Sequence, residues 1–115
     1  MNKITIPIFV IDGLDISLYP SLKDVELALE PIDVKNNTYL VLDAEGKSIQ
    51  VNTDGKRINA SLDVNHSICA QKLESILREY LNAINYQLDA AMQCDLNCLV
   101  EHCCKIFNFD RGRVA

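Results

Sequence analysis

The residues best suited to chemistry lie close together near the end of the chain. Four of the five cysteines and one of the two histidines fall in CDLNCLVEHCC, residues 94–104. Thiolate and imidazole groups bind zinc tetrahedrally at about 2.0–2.3 Å, and thiolates also act as nucleophiles and redox groups. The stretch therefore indicates a metal site, a redox site or the buried side of a helix.

Helix geometry bears on this choice. With about 3.6 residues per turn, Cys94, Cys98 and His102 share one stripe at i, i+4 and i+8. The first and third are then about 12 Å apart along the axis, so one straight helix cannot bring all three to a single ion. Cys103 lies roughly opposite Cys94 on the apolar face, where a free cysteine is usually a buried core residue.

We therefore expect structural thiols, no metal, no cofactor and no catalytic residue. Closing a metal site would need ligands from elsewhere, such as Cys69 or His66, and a redox pair is the remaining alternative. The chain has no C-x-x-C, no phosphate-binding glycine loop and no G-x-S-x-G turn. The sequence thus predicts a protein that is not an enzyme.

The charge is more informative about partners. The net charge is −5, so the surface repels nucleic-acid phosphates and attracts basic partners. Six acids lie between residues 12 and 33, opposed only by Lys23. A solvated surface is the plain interpretation; the alternative is an acidic contact surface with one aromatic anchor. Its predicted partner-binding residues are Asp12, Asp15, Tyr19, Asp24, Glu26, Glu30 and Asp33.

The length of 115 residues suits one domain. The sequence pattern predicts a strand, a helix and a meander over residues 1–65. It predicts a helical part over 66–108 and a tail over 109–115. The first strand, 4–11, lies near an edge or begins after Pro7, and DGLDIS after it is turn-like. A helix over 21–30 is capped by Ser21 and stopped by Pro31. Strands follow at 38–43, 48–52 and 57–62; the first of these is apolar on both faces, which is typical of a central strand.

The apolar spacing changes to helical from residue 67, with Asn65 or Ser67 as the cap and His66 at the helix start. One helix of some 40 residues would outgrow the domain, so we expect two, broken near residues 93–95 and with Asp95 capping the second. The predicted fold is α+β. It has one antiparallel sheet of about four strands, a short helix after strand 1, and two C-terminal helices on one sheet face.

The N-terminal apolar stretch is short, is broken by Pro7, and precedes no cleavage-site pattern. The chain also lacks an apolar run of the roughly 20 residues that a bilayer requires. We therefore expect a cytoplasmic protein without a membrane segment, whose cysteines are reduced.

One long stretch resembles a known kind of protein. It contains Asp15, Ile16, Tyr19, Ser21, Leu29, Glu30, Pro31, Ile32, Asp33 and Val34, and then Tyr39, Asp43, Ala44, Glu45 and Gly46. Together with the late amphipathic helix, this pattern over about 12–84 resembles small uncharacterised bacterial α+β proteins suspected to be immunity proteins of contact-dependent or polymorphic toxin systems. The cysteine-rich segment lies outside the match.

The resemblance implies an acidic cytoplasmic domain that neutralises a toxin, often a basic nuclease, by binding it directly. No catalytic residue comes with it. Two alternatives stay open: a chaperone or adaptor for a secreted protein, and a thiol- or metal-dependent regulator that uses Cys94, Cys98 and His102. The sequence leaves the oligomeric state open.

Overall fold

The computed structural model describes residues 4–36, 38–63, 68–86 and 94–110. Its elements are, in chain order, β1 (Ile8–Asp12), β2 (Asp15–Tyr19), α1 (Leu22–Ala28), α2 (Pro31–Lys35), β3 (Leu40–Leu42), β4 (Ile49–Thr53), β5 (Ile58–Leu62), α3 (Ala70–Ala83) and α4 (Leu96–Ile106). The predicted α+β class is confirmed.

The strands form two small antiparallel sheets. One has the order β2-β1-β3, and β4 and β5 pair as a separate hairpin. The expectation of one sheet of about four strands is therefore wrong. The ladder breaks because β3 ends at Leu42 and the residues after it form a loop around the Asp43 side chain. An isolated bridge between Leu42 and Ser48 leads from β3 towards β4.

The segment DGLDIS, predicted as a turn-like break, contains a tight turn and the start of the strand β2. Gly13, with φ of 62°, and Leu14 connect β1 to β2, and Asp12 pairs directly with Asp15. β1 begins after Pro7 as predicted, but it is the central strand rather than an edge, because β2 pairs on its other side. β3 lies at the edge of this sheet, so its prediction as a central strand was wrong.

Alternation along β1 divides the interior into two apolar cores. Phe9 and Ile11 point into a core that contains the buried residues of α3 and α4, whereas Ile8 and Val10 point into a core beneath α1, α2 and the β4–β5 hairpin. The two C-terminal helices therefore pack on one face of the three-stranded sheet, rather than on the predicted sheet of about four strands. Because both faces of β1 are covered, its sequence is continuously apolar rather than alternating.

The two short helices begin at different signals. The Ser21 side chain caps α1 as predicted, accepting from the Asp24 amide at 3.1 Å. Pro31, predicted only to stop that helix, is the first residue of α2, with Glu30 as its N-cap. Proline is favoured at the first helical position because the amide it lacks would have no partner there.

Asparagine, rather than glycine or proline, ends the two long helices. Asn85 adopts φ of 60°, the Tyr86 amide donates to the Leu81 carbonyl at 2.9 Å, and the Asn85 amide donates to Asn82. This is a Schellman motif, and Asn108 ends α4 in the same way with φ of 57°. The prediction of two helices is confirmed, although the first already ends at Ala83.

Asp95 caps α4 as predicted, accepting from the Cys98 amide at 2.9 Å. Other predictions lie outside the described residues: the caps at Asn65 or Ser67, the position of His66, a break at residue 93, and the end of the tail beyond residue 110.

A buried carboxylate organises the connection from β3 to β4. Asp43 is fully buried and accepts hydrogen bonds from the amides of Thr5 at 3.0 Å, Glu45 at 2.9 Å and Lys47 at 2.8 Å. The Lys47 ammonium lies 3.7 Å from the same carboxylate. Asp43 thus holds the N-terminal segment and the β3–β4 loop together.

The same loop positions the start of α3. Gly46 has φ of 85°, and its carbonyl accepts from the Cys69 amide at 2.7 Å. A Cβ at this position would lie 2.6 Å from the backbone nitrogen of Ala70. The loop therefore needs glycine both for its backbone conformation and for the close approach of α3.

We predict that Asp43→Ala lowers the free energy of unfolding by about 3 kcal/mol or more, because it leaves three amides without their acceptor. Glu45→Ala is the matched control. It removes the interactions of the exposed Glu45 carboxylate with Lys47 and Thr5 but keeps the buried acceptor, and such exposed contacts are worth about 1 kcal/mol or less. Urea denaturation of both variants measures the difference, and equal losses would contradict the role assigned to Asp43.

We predict that Asn85→Ala costs about 1 kcal/mol, since a Cβ-bearing residue without a local side-chain hydrogen bond is disfavoured at positive φ. Asn85→Gly should be neutral or stabilising. Asn82→Ala, in the exposed last turn of α3, should be neutral or slightly stabilising because alanine favours helix. Thermal or urea unfolding distinguishes these outcomes. If Asn85→Ala leaves the free energy of unfolding unchanged, the role assigned to Asn85 in the Schellman motif of α3 is wrong.

Candidate functional site

The predicted acidic residues differ in whether their carboxylates are used by the fold. Asp12 and Asp15 face each other across the ends of β1 and β2, and both are exposed. Glu30 is also exposed and makes no side-chain hydrogen bond as the N-cap of α2. These three residues keep carboxylates available for a partner.

Tyr39 contacts one of the predicted carboxylates and is influenced by the charges of two others. Its hydroxyl donates to Asp33 Oδ2 at 3.1 Å. Burial, this hydrogen bond, and the nearby charges of Asp33, Asp12 and Glu30 raise the pKa of Tyr39 above its usual 10.0. We call Asp12, Glu30, Asp33 and Tyr39 the Tyr39 cluster. The predicted aromatic anchor, Tyr19, instead pairs with Ile8 and packs against the α1-side core.

Sequence reasoning missed Tyr39 because it lies six residues beyond Asp33 and outside the acidic run. The sequence did offer one indication. Tyr39 lies two residues before the apolar Val41, and residues two apart along a strand share a face, so the ring is expected at the sheet edge near α2.

The other two predicted contacts are used by the fold. Asp24 accepts from the Ser21 hydroxyl at 2.7 Å in the cap of α1. Glu26 Oε2 accepts from the Ala60 amide of β5 at 2.7 Å and so joins α1 to the second sheet. A charge reversal at these two positions would disturb the fold as well as any partner contact.

The surface next to α1 is not acidic. A groove of about 570 Å³ lies between α1 and the β4–β5 turn. Its lining residues are Lys23, Glu26, Leu27, Leu29, Pro31, Lys56, Arg57 and Ile58. Three cations oppose a single acid here, so this groove is locally positive.

The cysteine-rich segment differs from the sequence expectation. Cys94 and Cys98 form a disulfide, with a Cα–Cα distance of 5.1 Å, where reduced thiols were predicted. The candidate ligand atoms of Cys94, Cys98 and His102 all lie within 4.8 Å of one another. The sequence argument excluded a meeting of these three on one straight helix; they meet because Cys94 precedes the Asp95 cap and is not part of α4.

Two residues of the α3 region hold this cysteine–histidine cluster. The Tyr86 hydroxyl is 2.7 Å from His102 Nδ1, and the two rings meet edge to face at 5.3 Å. The Arg78 guanidinium donates to the Cys94 carbonyl and pairs with Glu74 at 3.1 Å. The cluster therefore lies where the C-terminal end of α3 meets the N-terminal end of α4.

Cys103 and Cys104 are structural, as predicted for Cys103. Both are buried in the core between the three-stranded sheet and the long helices. Burial, with a smaller contribution from Cys104, raises the pKa of the Cys103 thiol to about 12. The Cys103 thiol therefore stays protonated and inert near neutral pH, which separates it from the cysteine–histidine cluster.

Comparisons with known proteins assign no family to the chain. No protein-family model, no curated protein and no solved structure matches it. Within the described ranges, none of the helices combines the length and apolar character needed to cross a bilayer.

We predict that alkaline pH destabilises the protein partly through Cys103. The unfolded thiol ionises near its ordinary pKa of 9.0, whereas the folded thiol resists ionisation up to about 12. The free energy of unfolding should therefore fall as pH rises from 9 towards 12. Urea unfolding at several pH values should show a shallower decline for Cys103→Ala than for the parent chain; identical slopes would exclude this contribution.

Proposed function

We propose that this chain is a non-enzymatic binding protein of the bacterial cytoplasm that neutralises a toxin domain by direct binding. The observation that carries the proposal is the Tyr39 cluster, in which an aromatic side chain is hydrogen-bonded to Asp33 and is influenced by the charges of Asp12 and Glu30. The sequence resemblance to suspected immunity proteins points to the same role.

Exposed apolar residues in the same segments support a protein partner. Leu14 is 69% exposed in the turn between Asp12 and Asp15, and Ile32 is 65% exposed between Glu30 and Asp33. Large apolar side chains next to carboxylates provide both buried area and orientation in an interface. This combination favours a protein surface over a small cation as the occupant.

The partner would be basic at the contact. Carboxylates raise the rate of encounter with a positive cleft, such as the phosphate-binding site of a nuclease, and fix the orientation of docking. They contribute less to the dissociation rate when they stay at the solvated rim. The groove beside α1 carries two lysines and an arginine, and it is also lined by Leu29 and Pro31, the chain neighbours of Glu30. These cations would repel a basic partner that extended from the Tyr39 cluster over α1.

We predict that Glu30→Gln slows association with the captured partner about two- to threefold at low ionic strength, and that Asp12→Asn does the same. The tagged chain is first used to capture its partner from native cells at low and high salt, with mass spectrometry for identification. Association rates with that partner are then measured over a range of salt concentrations.

Glu79→Gln is the matched control, because Glu79 is an exposed residue of α3, which packs on the opposite sheet face. Glu79→Gln should change the association rate only by the small amount that follows from the loss of one negative charge. If Glu30→Gln and Glu79→Gln have equal effects, the Tyr39 cluster is not the interface. If the captured partner is not basic, or capture does not weaken with salt, the toxin-neutralising proposal fails.

A further inference from the structure

We infer that Cys94, Cys98 and His102 form a zinc site when their disulfide is reduced, so that disulfide formation and metal binding exclude each other. This site is separate from the Tyr39 cluster: the cysteines pack with the core beneath α3 and α4, whereas Tyr39 packs with the core on the other sheet face. The inference therefore does not depend on the proposed function.

The spacing of the ligand atoms fits a single ion. All three lie within 4.8 Å of one another, and a tetrahedral zinc ion holds its ligand atoms about 3.3–3.8 Å apart. Cys98 and His102 are one turn apart on α4, and the extended Asp95 cap turns Cys94 back towards them. Side-chain rotations alone can complete the approach once the sulfur–sulfur bond is broken.

His102 already has the support that a metal-bound histidine requires. Its Nδ1 is hydrogen-bonded to the Tyr86 hydroxyl at 2.7 Å, which fixes the ring orientation and leaves Nε2 as the nitrogen for the metal. A hydrogen bond to the second ring nitrogen is the usual outer contact of a histidine ligand. Tyr86 is itself placed by the Schellman turn at Asn85.

The backbone of Cys94 is also fixed. Arg78 of α3 donates to its carbonyl, and the side chain is 4% exposed. Cys98 and His102 are only half-buried, so an ion can enter from the solvent side. Three protein ligands leave the fourth zinc position for a water molecule. Two sulfurs and an imidazole favour zinc over magnesium or calcium, which bind oxygen.

Disulfide reduction and zinc binding are coupled through the same two sulfurs. A dithiol reductant transfers two electrons and two protons to the Cys94–Cys98 disulfide, giving two thiols and the oxidised reductant. Zinc then binds the two sulfurs and the neutral imidazole, and the two thiol protons are released to solvent. A disulfide oxidant re-forms the Cys94–Cys98 bond by thiol–disulfide exchange: it takes two electrons from the two thiolates and two protons from solvent, leaves as two thiols, and the ion is expelled.

The test uses the full chain, either with the disulfide intact or after anaerobic reduction with a phosphine. Zinc is titrated in competition with a chromophoric chelator, and cobalt is used as a spectroscopic substitute. We expect one zinc per reduced chain, none per oxidised chain, and a tetrahedral cobalt spectrum with a thiolate charge-transfer band. A reduced chain that binds no stoichiometric zinc overturns the proposal.

Variants distinguish zinc binding at this site from zinc binding by other thiols of the chain. Cys98→Ser should weaken zinc binding at least 100-fold, by analogy with the loss of a thiolate ligand, whereas Cys69→Ser, the matched control, should bind as the parent does. Tyr86→Phe should weaken binding about 10- to 100-fold while the cobalt charge-transfer band stays. Equal binding by Cys98→Ser and Cys69→Ser overturns the assignment.

His102→Gln guards against a folding artefact. It leaves both cysteines in place, so the oxidised variant can still form the disulfide and show the parent's circular dichroism. After reduction it should lose zinc affinity and the imidazole contribution to the cobalt spectrum. If it binds zinc as tightly as the parent, the histidine is not a ligand and the proposed site is wrong.

Discussion

The buried carboxylate of Asp43 is the constraint on which the rest of the structure depends. It binds the amides of the N-terminal segment and of the β3–β4 loop, and that loop in turn receives the start of α3 at Gly46. A buried charge is tolerated only where hydrogen bonds and an ion pair replace its hydration, so the loop has little freedom. This arrangement ends β3 early and separates the two sheets.

The covering of both faces of the three-stranded sheet has a functional consequence. Because β1 is covered on both faces, the two apolar cores support surfaces on opposite sides of the three-stranded sheet. One side carries the Tyr39 cluster. The other carries the junction of α3 and α4, with the cysteine–histidine cluster at its end. A partner on the first surface would leave the second open to solvent, reductants and metal ions.

Local signals in the sequence predicted much of the fold. Ser21 and Asp95 cap helices as expected, β1 starts after Pro7, and the apolar spacing of α3 and α4 matches their buried faces. The misses have physical causes. A two-residue turn at Gly13 makes a strand of what looked like a loop, and Asn85 ends a helix where no glycine or proline stands. Both depend on backbone conformations that composition does not reveal.

The sequence by itself determined the α+β class, the helix caps, the net negative charge and the residue types available for chemistry, because these follow from local patterns. Only the tertiary structure decided which of those residues meet. It joined Tyr39 to Asp33, used Glu26 to hold β5, and turned Cys94 back onto Cys98 and His102. Such meetings require chain reversals and packing between distant segments, and no spacing along a single helix or strand contains that information.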